Sequence, residues 1–479
     1  MSSSHPLLER RLAGVLLHPT SLPARPGDAA FIGDLGPASR RFADWLRSAG
    51  FGLWQMLPIC PVGAGNSPYS GQSSFAIEPM LVSLADLATD GLLPTTAVRI
   101  PASIKPTRLD RTRWAVARRF KNPRLELAYE RFTRRRSGRA AFARFEKAHA
   151  HWLGDWCGWI SQRSGGEPAY HAFVQFLLDT QWQRLRRHTR KKKVHLIGDL
   201  PIFTGADSAD VAAHPHLFRL DRKGKPTVVT GVPPDAFSPD GQRWGHPHYD
   251  WPAHRKQAFG WWCDRVETSL DRFDLLRIDH FVGFVHAYEV SARAKTARRG
   301  RWARTPGREL LSAIEDRIGP LPFIAEDLGN VTPAVTRLRR GFNLPGMRIL
   351  HWAFFNPRSR DLPHNHPTDS VVYPGTHDND TTVGWWRSLP PEARHRFIAY
   401  TGATSRDIAP AMVRLAVNSP ANLAIIQFQD LLGLGKSARM NRPGTALGNW
   451  TWRMEPGALR RQPARKLREE VEAASRLPK

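Results

Sequence analysis

The chain has 479 residues, 41% hydrophobic and 24% charged, a globular composition with enough apolar side chains for a large core. No run of about 18 apolar residues occurs, so no membrane-spanning helix is expected; the first ten residues lack the basic and apolar regions of a secretory leader. The three cysteines, Cys60, Cys157 and Cys263, are scattered and odd in number, which argues against a disulfide framework or a zinc site and for a reducing cytoplasm. The 70 Lys and Arg against 43 Asp and Glu give a charge of +27. Clusters such as Arg134-Arg135-Arg136 and the stretch 184–193 are read as a solvated basic surface with no specific nucleic-acid partner, since no zinc-finger, RRM or helix-turn-helix pattern accompanies them.

In chain order, eight short apolar runs read as strands: 14–17, 52–58, 194–200, 275–281, 323–328, 347–353, 370–373 and 423–428. Most lack alternation and are bounded by Gly, Pro or polar residues, as in a parallel sheet buried on both faces. Helical stretches at 39–49, 170–187 and 333–340 fill several gaps. The expected fold is therefore α/β, a single (β/α)8 TIM barrel over 1–479 with its chemistry at the C-terminal ends of the strands. Residues 61–192 are too long for a simple connection and read as an inserted helical subdomain. Residues 204–252, rich in Pro, Gly, Asp and Trp without clear periodicity, read as a long active-site loop. The last dozen residues, 468–479, read as a polar helix with a fraying end.

Three strand ends carry carboxylates. In Leu276-Arg277-Ile278-Asp279-His280, residues 277 and 279 share one strand face, and a charge pair on an apolar strand is costly unless the charges serve each other. Asp279 is the candidate nucleophile, with Arg277 beside it to hold its pKa down; an ion pair plugging the barrel is the other reading. Glu326 is the candidate general acid/base, with Asp327 as rival or as N-cap of the following turn. His377-Asp378-Asn379-Asp380 offers a histidine and carboxylate to sugar hydroxyls, or else an Asx-built turn. Asp199 suits either a sugar contact or a bond to the central arginine. Such carboxylate sets fit glycoside chemistry.

Aromatics suit carbohydrate: Trp244 sits in the polar stretch Ser238-Pro239-Asp240-Gly241-Gln242-Arg243-Trp244-Gly245, and Tyr69 follows a Gly-rich loop. His214-Pro215-His216 and His246-Pro247-His248 are interrupted by proline, and no HExxH, CxxC, GxGxxG or Walker pattern appears, so no metal and no nucleotide cofactor is expected.

These motifs together resemble glycoside hydrolase family 77, the amylomaltase or 4-α-glucanotransferase family of the α-amylase clan, in its short bacterial form. The resemblance runs from Gly14-Val15-Leu16-Leu17-His18-Pro19-Thr20-Ser21 through Ser67-Pro68-Tyr69-Ser70, Gly198-Asp199-Leu200-Pro201, Gly231-Val232-Pro233-Pro234-Asp235, Arg277-Ile278-Asp279-His280-Phe281, Ala325-Glu326-Asp327-Leu328-Gly329 and Gly375-Thr376-His377-Asp378-Asn379-Asp380 to Ala438-Arg439-Met440-Asn441 and Gly448-Asn449-Trp450. It implies that Asp279 is the nucleophile, Glu326 the acid/base and Asp378 a carboxylate gripping sugar hydroxyls. It further implies that Arg277, Asp199, His377, Tyr69, Pro201, Gln242 and Trp244 bind or frame the substrate, the last two from a loop overhanging the acceptor. No cofactor is implied; the implied partners are maltooligosaccharides, amylose, starch or glycogen chains, acted on by a monomer or weak oligomer. The implied reaction transfers α-1,4-glucan segments to the 4-hydroxyl of an acceptor. The alternatives are an α-1,4-glucan hydrolase of the same clan or a non-catalytic polyanion-binding protein. Departures at Val282, Ala287-Tyr288-Glu289, Ala76-Ile77-Glu78-Pro79, His246 and His364-Asn365-His366-Pro367 touch none of the carboxylates and bear on acceptor preference and product size.

Overall fold

The computed structural model describes residues 3–23, 31–100, 109–234, 238–445, 447–461 and 464–478; Asp235 of the Gly231–Asp235 motif lies outside the described residues. In chain order the strands are β1 (Leu12–Leu16), β2 (Leu53–Gln55), β3 (His195–Pro201), β4 (Val228–Val232), β5 (Gln242–Pro247), β6 (Leu275–Asp279), β7 (His286–Ser291), β8 (Arg301–Arg304), β9 (Phe323–Ala325), β10 (Gly346–Ile349), β11 (Ser370–Tyr373) and β12 (Leu423–Gln427).

Eight of them close a parallel barrel in the order β1-β12-β11-β10-β9-β6-β3-β2. All eight apolar runs are in it; six end earlier than the sequence suggests, while β1 begins two residues sooner and β3 ends one residue later. The run 323–328 stops pairing at Ala325, and 347–353 turns into a 3-10 helix at Leu350, because the residues beyond leave the ladder to build the mouth of the barrel. Strands β1, β2 and β12 are buried at every position, which accounts for their unbroken apolar character.

Register places the chemistry. Strand β3 pairs with β6 so that Asp199 faces Arg277 and Pro201 faces Asp279. Strand β6 pairs with β9 so that Arg277 faces Ile324 and Ile278 faces Ala325. Asp279 and Glu326 are each the next residue, so both emerge from neighbouring strands at one level of the C-terminal rim.

Residues 61–192 carry four long helices, and the last of them, Pro168–Lys191, lies along the barrel wall. It starts with proline at its first turn, where a missing N–H costs nothing. Its Trp182 is fully buried and donates to Arg272 O at 3.0 Å. Two buried amides on it clamp the incoming chain: Gln175 exchanges both bonds with Ile77, and Gln181 with Ser83.

Residues 204–252 are not all loop. They contain β4 and β5, which join β7 and β8 in an antiparallel sheet of order β5-β4-β7-β8. The β-bulge between Val229 and Gly231 breaks the alternation that would have revealed them.

The C-terminus also departs from expectation. The helix Ala464–Ala473 buries Leu467 and Val471. Arg476 beyond it is fully buried and donates to Leu12 O, Val417 O, Ser419 O, Ala421 O and Asn422 O, sealing the barrel floor where β1 and β12 begin. A single planar guanidinium reaches all five carbonyls, sharing Ser419 O and Ala421 O with Arg11 and Asn422 O with the Leu12 N–H, which is why a polar tail is ordered here.

Candidate active site

Arg277, only 4% exposed, is the hub of the rim. Its Nη1 donates to both oxygens of Asp199, at 2.7 and 2.9 Å, and to Asp279 Oδ1 at 3.0 Å; Nη2 lies 3.5 Å from Glu326 Oε2. Asp199 is wholly buried, and Tyr69 Oη donates to its Oδ2 at 2.7 Å. Of the two readings of Asp199, the structure realises the bond to the central arginine. Asp279 keeps 26% of its side chain open to solvent, so it is the carboxylate of this cluster that faces the cleft.

Glu326 is held by a turn, not a strand. His280, at φ +53° in the left-handed region, ends β6, and its N–H donates to Glu326 Oε2 at 2.5 Å. Asp327 points the other way. It accepts from Met347 N at 2.8 Å and pairs with Arg339 at 3.3 Å, close against Gly346, where any Cβ would collide with it. It is therefore a strut between β9 and β10; the cap of the next helix, Pro333–Gly341, is Thr332.

Burial pushes both carboxyls up, Glu326 to about 8 and Asp279 to about 7. Arg277 pulls each one down, but it is shared among three carboxylates and does not offset their desolvation, so it does not hold Asp279 low as expected. It opposes the rise more at Asp279, which it hydrogen-bonds, than at Glu326. Of the two, Glu326 retains its proton to higher pH.

The third carboxylate lies across the mouth. Asp378 Oδ1 accepts from Asn441 Nδ2 at 2.6 Å and lies 3.4 Å from His377 Nε2, while Arg439 Nη2 donates to the Asp378 carbonyl at 2.5 Å. His377 is buried, which lowers its pKa, and it stacks on Tyr69 with centroids 5.0 Å apart and planes 10° from parallel. Trp450 completes this wall, 5.6 Å from Tyr69 and 5.9 Å from His377. Arg439, Asn441 and Trp450 belong to the Ala438–Asn441 and Gly448–Trp450 motifs, the signal the sequence carries for them.

Gln242 and Trp244 are on edge strand β5 rather than in an open loop. The Trp244 ring meets the His280 ring edge to face at 4.8 Å, with Phe203 6.3 Å away, and its Nε1 donates to Gln242 Oε1 at 3.3 Å. Pro201 ends β3 beside Asp279, its carbonyl taken by Arg265 Nη2 at 2.6 Å. A cavity of about 50 Å³ lies behind Tyr69 and Asp199, reaching Cys60 and Arg272. It has room for ordered water but not for a sugar ring. Among the described residues no group of three or more His, Cys, Asp or Glu is placed to hold a metal ion.

A buried arginine shared by carboxylates at adjacent strand ends, faced by a third carboxylate and an aromatic wall, is an arrangement for working on an uncharged polyhydroxyl substrate. Known proteins agree with this. The model of glycoside hydrolase family 77, 4-alpha-glucanotransferase, matches residues 17–167 and 160–459. The chain is 40% identical to the 4-alpha-glucanotransferase of Thermus thermophilus, over 98% of this chain and 99% of that one. It is 41% identical to the chloroplastic/amyloplastic 4-alpha-glucanotransferase of Solanum tuberosum, over 93% of this chain and 82% of that one. Its fold superposes with a TM-score of 0.92 on the amylomaltase from Streptococcus agalactiae in complex with acarbose, at 31% identity over 98% of this chain and all of that one. The chain belongs to glycoside hydrolase family 77, the 4-alpha-glucanotransferases.

Proposed function

We propose that the protein disproportionates α-1,4-glucans by a retaining mechanism in which Asp279 is the nucleophile and Glu326 the general acid and base. The observation that carries this reading is the unequal pair on one guanidinium: Asp279 open to the cleft and hydrogen-bonded to Arg277, Glu326 more desolvated and more distant from the charge. The anion is favoured where the nucleophile is needed and the proton where the acid is needed.

Asp279 attacks the anomeric carbon of the donor as Glu326 passes its proton to the departing 4-oxygen. The glycosidic C–O bond breaks and a glycosyl ester to Asp279 forms. Glu326, now ionised, takes the proton of an acceptor's 4-hydroxyl, whose oxygen displaces Asp279 and restores the α-linkage. This reading expects the two carboxyl groups about 5–5.5 Å apart. No step calls for a metal or cofactor.

Asp378, fixed by Asn441 and His377, is placed to grip hydroxyls of the donor ring; Tyr69, His377 and Trp450 form a wall against its face. Arg277 and Asp199 hold the floor, and Pro201, Gln242 and Trp244 border the acceptor side. Transfer requires that a sugar rather than water occupy that side, and the indole packed on His280 excludes water there. The substrates are maltooligosaccharides, amylose, starch or glycogen chains, handled in the cytoplasm by a monomer or weak oligomer; the relatives named 4-alpha-glucanotransferase support the substrate class.

Maltotriose alone tests the reading. The expected products are glucose and a ladder of longer oligomers with no net gain of reducing ends. A gain matching the number of bonds cleaved would make the protein an α-glucan hydrolase instead.

A further inference from the structure

The reaction on a neutral glucan uses none of the excess positive charge, yet one part of the molecule concentrates it beside an aromatic ring. Residues 291–304, the end of β7, its connection and β8, carry Arg293, Lys295, Arg298, Arg299, Arg301 and Arg304, all exposed, and no acidic residue. Arg298 pairs with Asp240 at 2.5 Å and Arg301 with Glu289 at 2.7 Å. Among the described residues, Arg293, Lys295, Arg299 and Arg304 have no carboxylate partner within ion-pairing distance. Four guanidinium or ammonium groups thus stand unneutralised in one short segment.

Their register puts a ring among them. Strand β8 pairs with β7 so that Trp302 faces Tyr288 and Arg304 faces His286. These four side chains share one face of the sheet. Trp302 lies 5.0 Å from Tyr288 and 4.8 Å, edge to face, from His286, which fixes the ring without covering it. The indole stays 39% exposed, one of the few large apolar side chains left so. The connection folds over the same face: Ala297 buries in a small cluster with Val229, Tyr288 and Val290, and Gly300, next to Arg299, lies against the Tyr288 ring. The sheet is the one whose β5 edge carries Trp244, and across its strands β8 lies only about 14 Å from β5, at about 4.8 Å per strand.

We propose that the Trp302 face is a second carbohydrate site, selective for α-glucan chains that carry phosphate monoesters. The ring offers a flat apolar surface to the C–H face of a sugar. Exposed guanidinium forks in the same segment, Arg304 on the indole's own strand face and Arg299 beside Gly300, match a phosphate monoester, close to doubly charged at neutral pH, by paired charge-assisted hydrogen bonds. Register aligns Trp302 through Tyr288 and Gly231 with Arg243, so this site lies on the face of the sheet opposite Trp244, and a polymer held there is anchored to the enzyme outside the cleft. A single ring suits a sugar more than single-stranded nucleic acid, whose binding draws on several stacked bases.

The site is tested with the full chain. Binding is measured to amylopectin bearing phosphate monoesters, to the same polymer after phosphatase treatment, and to single-stranded DNA. The wild type is compared with Trp302→Ala and with the double variant Arg299→Gln/Arg304→Gln, whose exposed side chains take no part in the core. Phosphorylated amylopectin is expected to bind about tenfold more tightly than the dephosphorylated polymer, a preference lost in the double variant and in high salt, while Trp302→Ala weakens binding to both polymers. Maltotriose disproportionation, measured on the same preparations, should be unchanged in the variants. That assay stands or falls with the transferase reading alone, so failure of one does not mimic failure of the other. Equal binding to the two polymers, persistence of the preference in the double variant, undiminished binding of both polymers in Trp302→Ala, or tighter binding to DNA than to the phosphorylated glucan would overturn the assignment.

Discussion

At the residue scale, the site turns on one cation serving three carboxylates. Replacing Arg277's partners should separate chemistry from folding. Asp279→Asn and Glu326→Gln are each expected to lower turnover by about a thousandfold or more, because each removes one irreplaceable step; retention of a tenth of the wild-type rate by either would sink its role. The pH profile of kcat/KM should be bell-shaped. Protonation of Asp279, whose pKa is raised to about 7 by burial, closes the acid side, and ionisation of Glu326, raised to about 8, closes the alkaline side. The same shift has a stability sign. Unfolded, Glu326 would release its proton near the usual value of about 4.3; folded, it keeps the proton to about 8. The native state therefore binds more protons throughout that window, and its contribution to stability falls as pH rises. In Glu326→Gln that dependence is absent, so the drop in Tm between pH 5 and pH 8 should be smaller than in the wild type. A steeper drop would mean that Glu326 is not desolvated.

At the scale of elements, one contact of the second sheet with the barrel leads to Glu326. Trp244 on β5 packs against His280, and the His280 N–H holds Glu326. In the proposed mechanism the indole thus has two routes to the reaction: covering the acceptor side and steadying the turn that aims the acid. Trp244→Ala is expected to weaken acceptor stacking by about 1 kcal/mol and to admit water to the glycosyl ester, raising hydrolysis relative to transfer. If only the acceptor side is affected, the alkaline limb of the pH profile stays in place; if the turn loosens, it shifts as well. Measuring free glucose against transferred product, alongside a melt, checks the first effect. An unchanged product ratio with a lowered Tm would leave Trp244 a packing residue.

At the scale of the whole molecule, closure of the barrel and the charge of its surface are separate matters. Arg476 gives its guanidinium to carbonyls at both β1 and β12, so Arg476→Ala removes five hydrogen bonds far from the cleft. A loss of about 3 kcal/mol or more is expected, read as a lower midpoint in urea, with the maltotriose turnover of the remaining folded protein unchanged. Removal of residues 474–478 should be no less damaging. The net charge of +27, by contrast, has nothing to steer when the substrate is neutral. Maltotriose turnover should vary less than about twofold between low and moderate salt; a steep fall would place the cationic clusters in support of the active fold.

The sequence by itself was enough for the barrel, its eight strands and the three carboxylates, because buried parallel strands are continuous apolar runs and a charged residue at the end of such a run is conspicuous. What it could not supply is what depends on strands far apart in the chain. The register of β3 against β6 sets Asp199 on Arg277. A bulged antiparallel sheet hides in a stretch that reads as loop, and the indole that looks exposed there is covered by His280. The balance of protonation between Asp279 and Glu326 was also out of reach, since desolvation is a property of the assembled mouth and outweighs the neighbouring arginine that local sequence displays. Arg476 shows the same limit: a cation in a polar tail reads as solvated until the folded barrel surrounds it with carbonyls. Periodicity and composition report how much of each segment is buried; only tertiary contact decides against what.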